Sequence, residues 1–408
     1  MTNIFLGDKL QHFYFVAHKE EGRMKKELEL YIHIPFCVKK CAYCDFLSGP
    51  QDEETIEEYL TSLLEEIQAH GLKKEFVSNY EITSIFIGGG TPSVLAEPQI
   101  KQVMETLHDV FQIKQDAEIT IEANPGTVTK EKLETYHNCG INRISFGLQS
   151  TNNDELKLLG RIHTYEEFLE SFRLARECGF DNINVDLISA IPKQTVVSWE
   201  ETLKSVIELN PEHISAYSLI VEDGTPFAKV YGEGCPGEKD LPSEEEERKI
   251  YYRTEELLKE AGYHRYEISN YAKEGKECRH NLGYWERKEY LGIGLGSASL
   301  INNVRYSNTS DLSRYIKCAK HPDIIQEDIQ VLSTQEQMEE FMFLGLRKME
   351  GVSEREFDEC FGVGIDEVYD KQLKKLIIED LLERKDGWIR LTERGIDVSN
   401  YVFAEFME

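Results

Sequence analysis

Six short β-rich runs alternate with amphipathic helical stretches through the first half of the chain, and this alternation restricts the fold more than any other feature. The runs fall at 28–34, 83–87, 118–122, 143–146, 182–188 and 213–219. Helical periodicity fills the gaps, at 53–70, 97–110, 130–138, 154–159, 165–178 and 199–209. Strands that each return through a helix pair in parallel, so the pattern predicts a parallel α/β sheet. Loops carrying Gly, Asn or other polar residues follow the C-terminal end of each run, where ligands bind in barrels and open sheets. Further on, Ser243 before Glu244 to Glu247 predicts a capped acidic helix to about residue 260, and 263–270 reads as an added strand. After about residue 326 the pattern changes to helices at 334–349, 353–361 and 366–383, closed by a short strand at 388–392. That order suggests a small winged-helix-like α+β domain.

The strongest chemical signal lies directly after the first run: Tyr31-Ile-His-Ile-Pro-Phe-Cys37-Val-Lys-Lys-Cys41-Ala-Tyr-Cys44-Asp-Phe46. Three thiolates at C-x3-C-x2-C spacing can hold three irons of a [4Fe-4S] cube and leave the fourth open to a small ligand. A structural zinc site wants four closed ligands, usually as two C-x2-C pairs. After the second run comes Gly88-Gly89-Gly90-Thr91-Pro92, where missing Cβ atoms let backbone groups approach a ligand closely. Gly292-Ile-Gly-Leu-Gly296 lacks the strand–helix setting of a dinucleotide fingerprint and reads as a turn closing the cofactor pocket.

Composition narrows the class. With 46 Lys and Arg against 75 Asp and Glu, the net charge is −29, which argues against a nucleic-acid partner. No apolar run approaches the roughly 20 residues of a membrane helix. The aromatic patch Phe13 to Val16 is too short for a secretory core, which places the protein in the cytoplasm. Nine cysteines, three clustered and six scattered, suit a reducing compartment better than a disulfide framework.

The cysteine triad after one strand and the Gly-Gly-Gly-Thr-Pro turn after the next resemble the radical S-adenosylmethionine superfamily. The resemblance implies a partial (β/α)6 TIM-type barrel, in which the open iron chelates the amino and carboxylate groups of S-adenosylmethionine. One electron from the cluster then cleaves the sulfonium to methionine and a 5′-deoxyadenosyl radical. By that likeness Cys37, Cys41 and Cys44 hold the cluster, Gly89, Gly90 and Thr91 contact the methionyl part, and Arg161 pairs with its carboxylate as a guanidinium fork would. Glu122, Gln149 and Asp186 fall to the ribose and adenosyl side. Ile220 falls to the adenine, and Tyr31 from the opening motif belongs to the same set. Tyr43, between the second and third cysteines, is an aromatic that could pack on adenine, although a lone Tyr more often serves packing.

Within the superfamily the chain is similar to the coproporphyrinogen-oxidase-like branch from Tyr31 onward. The matching segments are the opening motif, Gly-Gly-Gly-Thr-Pro-Ser, Glu122-Ala-Asn-Pro, Arg143-Ile-Ser-Phe-Gly-Leu-Gln149-Ser, Leu159-Gly-Arg161-Ile-His163 and Asp186-Leu-Ile with Ile191-Pro-Lys-Gln-Thr. The oxidase carries a fourth cysteine two residues after the third, and here that position is Phe46. His280-Asn281-Leu-Gly-Tyr284-Trp285 resembles the H-N-x-x-Y-W motif of the branch's haem chaperones. His280 is therefore the candidate ligand to haem iron, with Asn281, Tyr284 and Trp285 beside the porphyrin. Cys278 and Cys235, before Pro236, are weaker candidates for a thiolate ligand.

These readings divide the chain into an N-terminal extension at 1–27, the radical-type barrel at 28–235, a connecting region with the haem motif at 236–325, and a C-terminal domain at 326–408. Met24 directly precedes the first strand and is a candidate internal start. The leading functional expectation is a protein that binds haem and delivers it to haemoproteins, with a [4Fe-4S] cluster and S-adenosylmethionine. The resemblance implies membrane-associated respiratory enzymes as acceptors and a separate electron donor; a homodimer stays open. The rival expectation is an enzyme, either an oxygen-independent coproporphyrinogen III oxidase or a radical enzyme on another substrate.

Overall fold

A computed structural model of the chain describes residues 25–407. The first 23 residues and the internal start at Met24 lie outside the described residues. Six strands, β1 (Lys26–Ile34), β2 (Tyr80–Gly89), β3 (Ile113–Ala123), β4 (Arg143–Gln149), β5 (Ile183–Ser189) and β6 (His213–Ser218), lie side by side in chain order and in parallel. The helices between them are α1 (Glu53–Leu72), α2 (Glu97–Val110), α3 (Lys130–Asn138), α4 (Asn153–Leu158), α5 (Tyr165–Glu177) and α6 (Val196–Glu208). Their starts are set by short polar side chains: Asp52 accepts from the Thr55 N–H at 2.9 Å, and Thr164 and Glu167 form a reciprocal cap on α5.

The period-two alternation of the strands decides which end of the chemistry faces which layer. In β1 the side chains of Leu28, Leu30, Ile32 and Ile34 join a core with Tyr59, Leu63 and Ile67 of α1. Glu29, Tyr31 and His33 therefore point to the opposite, inner face. That inner face is polar all along the sheet, with Ser84, Glu118, Thr120, Arg143, Ser145, Asn184 and His213 buried on it. Buried polar groups need partners, and several here partner one another, as in the His213 Nδ1 to Asn184 Oδ1 contact at 2.6 Å, while Thr120 Oγ1 and Arg143 Nε are left without one.

The segment read as a connecting region extends the sheet at both edges. Helix α7 (Glu244–Glu260) packs on α6, where the Trp199 indole donates to Thr254 Oγ1 at 2.8 Å. The single strand expected at 263–270 is a hairpin of β7 (His264–Arg265) and β8 (Asn270–Ala272), in which β8 pairs antiparallel with both β7 and β6. Helix α8 (Arg279–Trp285) follows, and then β9 (Tyr290–Ile293) crosses to the other edge and pairs in parallel with β1. β10 (Ala298–Ile301), β11 (Val304–Asn308), helix α9 (Leu312–Cys318) and β12 (Gln326–Val331) complete a 12-stranded sheet. The glycine-rich 292–296 is the end of β9 and the hairpin turn into β10. Gly292 lies where a Cβ would strike the Ala298 carbonyl, and Gly294 takes φ +110°.

A second core belongs to the C-terminal domain, built from α10 (Thr334–Gly345), β13 (Val352–Ser353), α11 (Glu354–Phe361), α12 (Ile365–Ile378), β14 (Leu382–Lys385), β15 (Trp388–Leu391) and α13 (Ser399–Ala404). Its three strands run β13-β15-β14, all antiparallel, behind the helices. The helix expected to reach residue 383 stops at Ile378, because Asp380 adopts φ +57° and turns the chain into β14. No helix among the described residues is long and apolar enough to cross a membrane.

Candidate cofactor site

The cysteine loop leaves β1 through Pro35 and the buried Phe36 and is tied down at several points. The Cys37 N–H donates to the Gly49 carbonyl at 3.1 Å, and the Gly49 N–H returns to Pro35 at 3.0 Å. Ala42 donates to the Leu159 carbonyl and accepts from the Phe227 N–H, both at 3.0 Å. The loop is therefore held by the connection between α4 and α5 and by the chain after β6. Gly160, with φ +77°, keeps that approach open, since a Cβ there would sit 3.0 Å from the Ala42 nitrogen. Cys37, Cys41 and Cys44 are all free and partly accessible. Among the described residues no three His, Cys, Asp or Glu side chains converge as one metal ion requires. A cubane cluster takes one thiolate at each of three separate irons, so three thiols on one loop suit it. Phe46 is 69% exposed at the loop's far end, and its carbonyl accepts from Lys40 at 2.8 Å.

The glycine turn at the end of β2 meets this loop edge-on. The Gly90 N–H donates to the Ile34 carbonyl at 2.9 Å and the Thr91 N–H to the Phe36 carbonyl at 2.7 Å. A Cβ on Gly90 would lie 2.6 Å from the Phe36 carbonyl oxygen and 3.0 Å from Cys37 Sγ. On Gly89, at φ +114°, it would enter the His33 ring at 2.5 Å. Thr91 is buried, donates to Cys37 Sγ at 3.4 Å and accepts from Asn124 Nδ2 at 2.7 Å. The His33 ring sits under the turn, bonded to Tyr31 Oη at 3.0 Å and to the Leu47 carbonyl at 3.1 Å. Burial holds its pKa below the ordinary histidine value.

Arg161 occupies the centre of the remaining polar residues. Its Nη1 donates to Cys41 Sγ at 3.3 Å and its Nη2 to the Gly147 carbonyl at 2.6 Å and to Asn124 Oδ1. Its Nε is buried without a partner, and the guanidinium lines a cavity with Cys41, Thr91 and Asn124. Glu122 Oε2 accepts from the Gly89 N–H at 2.9 Å; burial, with Asp186 nearby, pushes its carboxyl up to about 8. Asp186 accepts from Ser145 at 3.0 Å and from Asn184 at 2.7 Å, and burial raises its pKa also. Gln149 is buried and takes φ +74° at a register shift in β4, which turns the chain at the strand end. Ile220, in the loop after β6, is 68% exposed. Tyr43 packs into a satellite cluster with Leu159, Ile188, Ile191 and Phe227, which is the packing alternative for that residue. Two participants lay inside quoted motifs without an assigned role: Asn124, which braces both Thr91 and Arg161, and His33.

The H-N-x-x-Y-W segment lies elsewhere. α8 sits under the inner face, against the N-terminal halves of β1 to β3, at the opposite end of the strands from the cysteines. His280 is 1% exposed, its ring stacked on Phe86 at 5.3 Å between centroids. Nδ1 contacts Ser84 Oγ at 2.8 Å and Nε2 contacts Tyr284 Oη at 3.0 Å, so both ring nitrogens are engaged. Burial, with Arg143 adding to it, pushes its pKa down to about 3. Glu29, 3.8 Å from Nδ1, is pushed up to about 8 chiefly by burial, so the two meet as neutral groups rather than as an ion pair. Asn281 is half-buried. Trp285 lies beneath the Arg347 guanidinium, 4.4 Å from the ring centroid. In this conformation His280 is buried with both ring nitrogens engaged and is not presented to an iron. Cys278 is fully buried, its thiol donating to Glu118 at 3.5 Å, and Cys235 hydrogen-bonds the Ala228 carbonyl at 3.6 Å.

The donor set at the strand ends fits the two groups expected there: three thiols, a glycine turn with no room for a Cβ, and a guanidinium with an unused buried N–H. Comparison with known proteins agrees. Residues 31–206 match the radical SAM superfamily and residues 332–398 match the HemN C-terminal domain. The chain is 38% identical over 378 residues to a heme chaperone HemW of Bacillus subtilis, covering 92% of this chain and 98% of that protein. A heme chaperone HemW of Escherichia coli is 35% identical, covering 90% and 95% respectively. The solved structure of the Escherichia coli coproporphyrinogen III oxidase HemN, a radical SAM enzyme, superposes with a TM-score of 0.81 at 25% identity, covering 94% of this chain and 90% of that one.

Proposed function

The chain belongs to the HemW family of the radical SAM superfamily, in its coproporphyrinogen-oxidase-like branch, and on that premise we propose that it binds haem and hands it to haemoproteins. In this reading Cys37, Cys41 and Cys44 would hold a [4Fe-4S] cluster, and residues at the strand ends would hold S-adenosylmethionine. Bound together, these two groups supply one-electron chemistry at a sulfonium. Arg161, whose Nε–H is buried without a partner, would hold the cofactor's carboxylate, and the Gly89–Thr91 turn, with no room for a Cβ at Gly89 or Gly90, would hold its amino group. Glu122 and Asp186, both raised by burial, are hydrogen-bond partners for the ribose side, with Gln149 and Tyr31 beside them and Ile220 and Tyr43 flanking the adenine.

The observation that carries the chaperone reading over an oxidase is Phe46, an exposed phenyl ring where the oxidase has a fourth thiol. A cytoplasmic protein of this kind takes electrons from a separate donor and serves acceptors such as membrane-bound respiratory enzymes. His280 remains the proposed iron ligand, with Asn281, Tyr284 and Trp285 as its neighbours, on condition that α8 leaves its seat. The oxidase reading is favoured by one observation, the intact set of cofactor residues. Anaerobic reconstitution followed by haemin titration tests the proposal. A saturable Soret band, and its transfer to an apo-haemoprotein, is expected; failure to bind haem would end it.

A further inference from the structure

We propose that α8 is a two-position element. Seated, it stops the inner face of the barrel and clasps the C-terminal domain; released, it offers His280 to haem iron, so haem capture and docking of that domain exclude each other. The inference rests on the haem-binding reading above and goes beyond it by naming the element that moves and what its movement unlocks.

The seated position is specific. Gly283 faces Glu29 so closely that any Cβ would collide with the carboxylate, and the His280 N–H donates to Glu118 at 3.3 Å. At its other end α8, with the two residues that follow it, grips the C-terminal domain three times. Arg347 lies over Trp285, Arg287 Nε pairs with Glu340 at 2.8 Å, and Lys348 with Glu286 at 3.4 Å. Phe403 of α13 lies 5.7 Å from the same Arg347. One seven-residue helix therefore touches both the inner face of the sheet and the second core.

The same seat is poorly secured. The residues of α8 that are buried are His280 and Gly283, neither an aliphatic anchor, and its own N-cap residue, Cys278, makes no capping hydrogen bond. Oε2 of Glu29 and Nε1 of Trp285 are buried without hydrogen-bond partners, and such groups are costly in a dry seat. Left-handed residues flank the segment, Gly275 at φ +72° and Arg287 at φ +52°, where small dihedral changes can swing it as a unit. Once vacated, the floor is lined by Glu29, Ser84 and Glu118, polar groups that water can satisfy. A ligand shifts such an equilibrium only through differential affinity. His280 can bond iron only when one ring nitrogen is released from Ser84 or Tyr284 and the buried ring is uncovered, so haem selects the released state.

The test uses the full-length, cluster-loaded chain under anaerobic conditions, with haemin titrated while amide hydrogen exchange is followed. With a saturated Soret band, exchange at 279–288 and at 340–349 should rise together by about tenfold or more. A saturated Soret band with unchanged protection at both segments would overturn the two-position element and leave haem binding standing. Absence of any Soret band would overturn the haem reading itself. Arg347→Ala, which removes the cation–π contact with Trp285, should tighten haemin binding by about fivefold, the scale of one partly buried cation–π contact. Unchanged affinity in that variant would refute the coupling to the C-terminal domain.

Discussion

Adding one carbon at Gly90 should uncouple cluster assembly from folding. The Gly90 backbone lies outside the left-handed region, so alanine is allowed conformationally; the obstacle is contact. The new Cβ would sit 2.6 Å from the Phe36 carbonyl oxygen and 3.0 Å from Cys37 Sγ. The carbonyl belongs to backbone that accepts the Thr91 N–H at 2.7 Å, so relief must come from shifting the cysteine loop away from the turn. Overpacking of this kind costs about 1–3 kcal/mol. In a chain of 408 residues that corresponds to a fall in Tm of no more than about a few degrees. The same shift moves the first of three thiols that must meet one rigid cube, so retention of iron suffers far more than stability. Gly49→Ala is the control, because it lies in the same loop and a Cβ there would meet nothing within 4 Å. After anaerobic reconstitution the Gly90 variant should hold less than about half the iron and sulfide of the Gly49 variant, with near-equal melting temperatures. A full complement of iron in Gly90→Ala would refute the claim that this turn and the cysteine loop form one cradle.

Two further outcomes follow from the same geometry. Arg161→Lys keeps the charge but loses the fork and the free Nε–H, a charge-assisted contact worth about 1.5–3 kcal/mol. Calorimetric binding of S-adenosylmethionine should weaken on the order of 10- to 100-fold, with the iron content unchanged. Glu66, buried between α1 and β9, accepts from Asn308 at 2.7 Å, from the Gly294 N–H at 3.0 Å and from Tyr315, and burial raises its carboxyl from 4.5 to about 7. A raised acid favours the folded state when protonated. Its contribution is therefore complete below pH 4.5 and is lost as pH climbs through 7, by about 3 kcal/mol. Denaturant midpoints measured from pH 5 to 8 should fall more steeply for the wild type than for Glu66→Gln; parallel curves would contradict the assignment.

Period-two and helical patterning located the barrel well, because each strand buries one face against helices and its alternation is written in the residues. Leu28, Leu30, Ile32 and Ile34 and the helix at Glu97–Val110 are cases in point. The candidate cofactor residues sit in short motifs at consecutive strand ends, which made them legible as candidates, and the fold brings Cys37, Gly90, Thr91, Glu122 and Arg161 together there. Three features were not legible. β9 gives no local sign that it will cross the sheet to lie beside β1, since that pairing is fixed by tertiary contacts with α1. Asp380 at φ +57° ends α12 although the apolar pattern runs on through Leu381 and Leu382. The burial of His280 depends on Ser84, Phe86 and Glu118, three residues roughly 160 to 200 positions away in sequence, which no local motif records.

The division between carrier and decarboxylase rests on Phe46 and is tested most directly by one assay. Reconstituted protein incubated anaerobically with coproporphyrinogen III, a reductant and S-adenosylmethionine should yield no protoporphyrinogen IX above the cluster-free control. Robust conversion of the two propionate side chains to vinyl groups would contradict the account and return the chain to the oxidases.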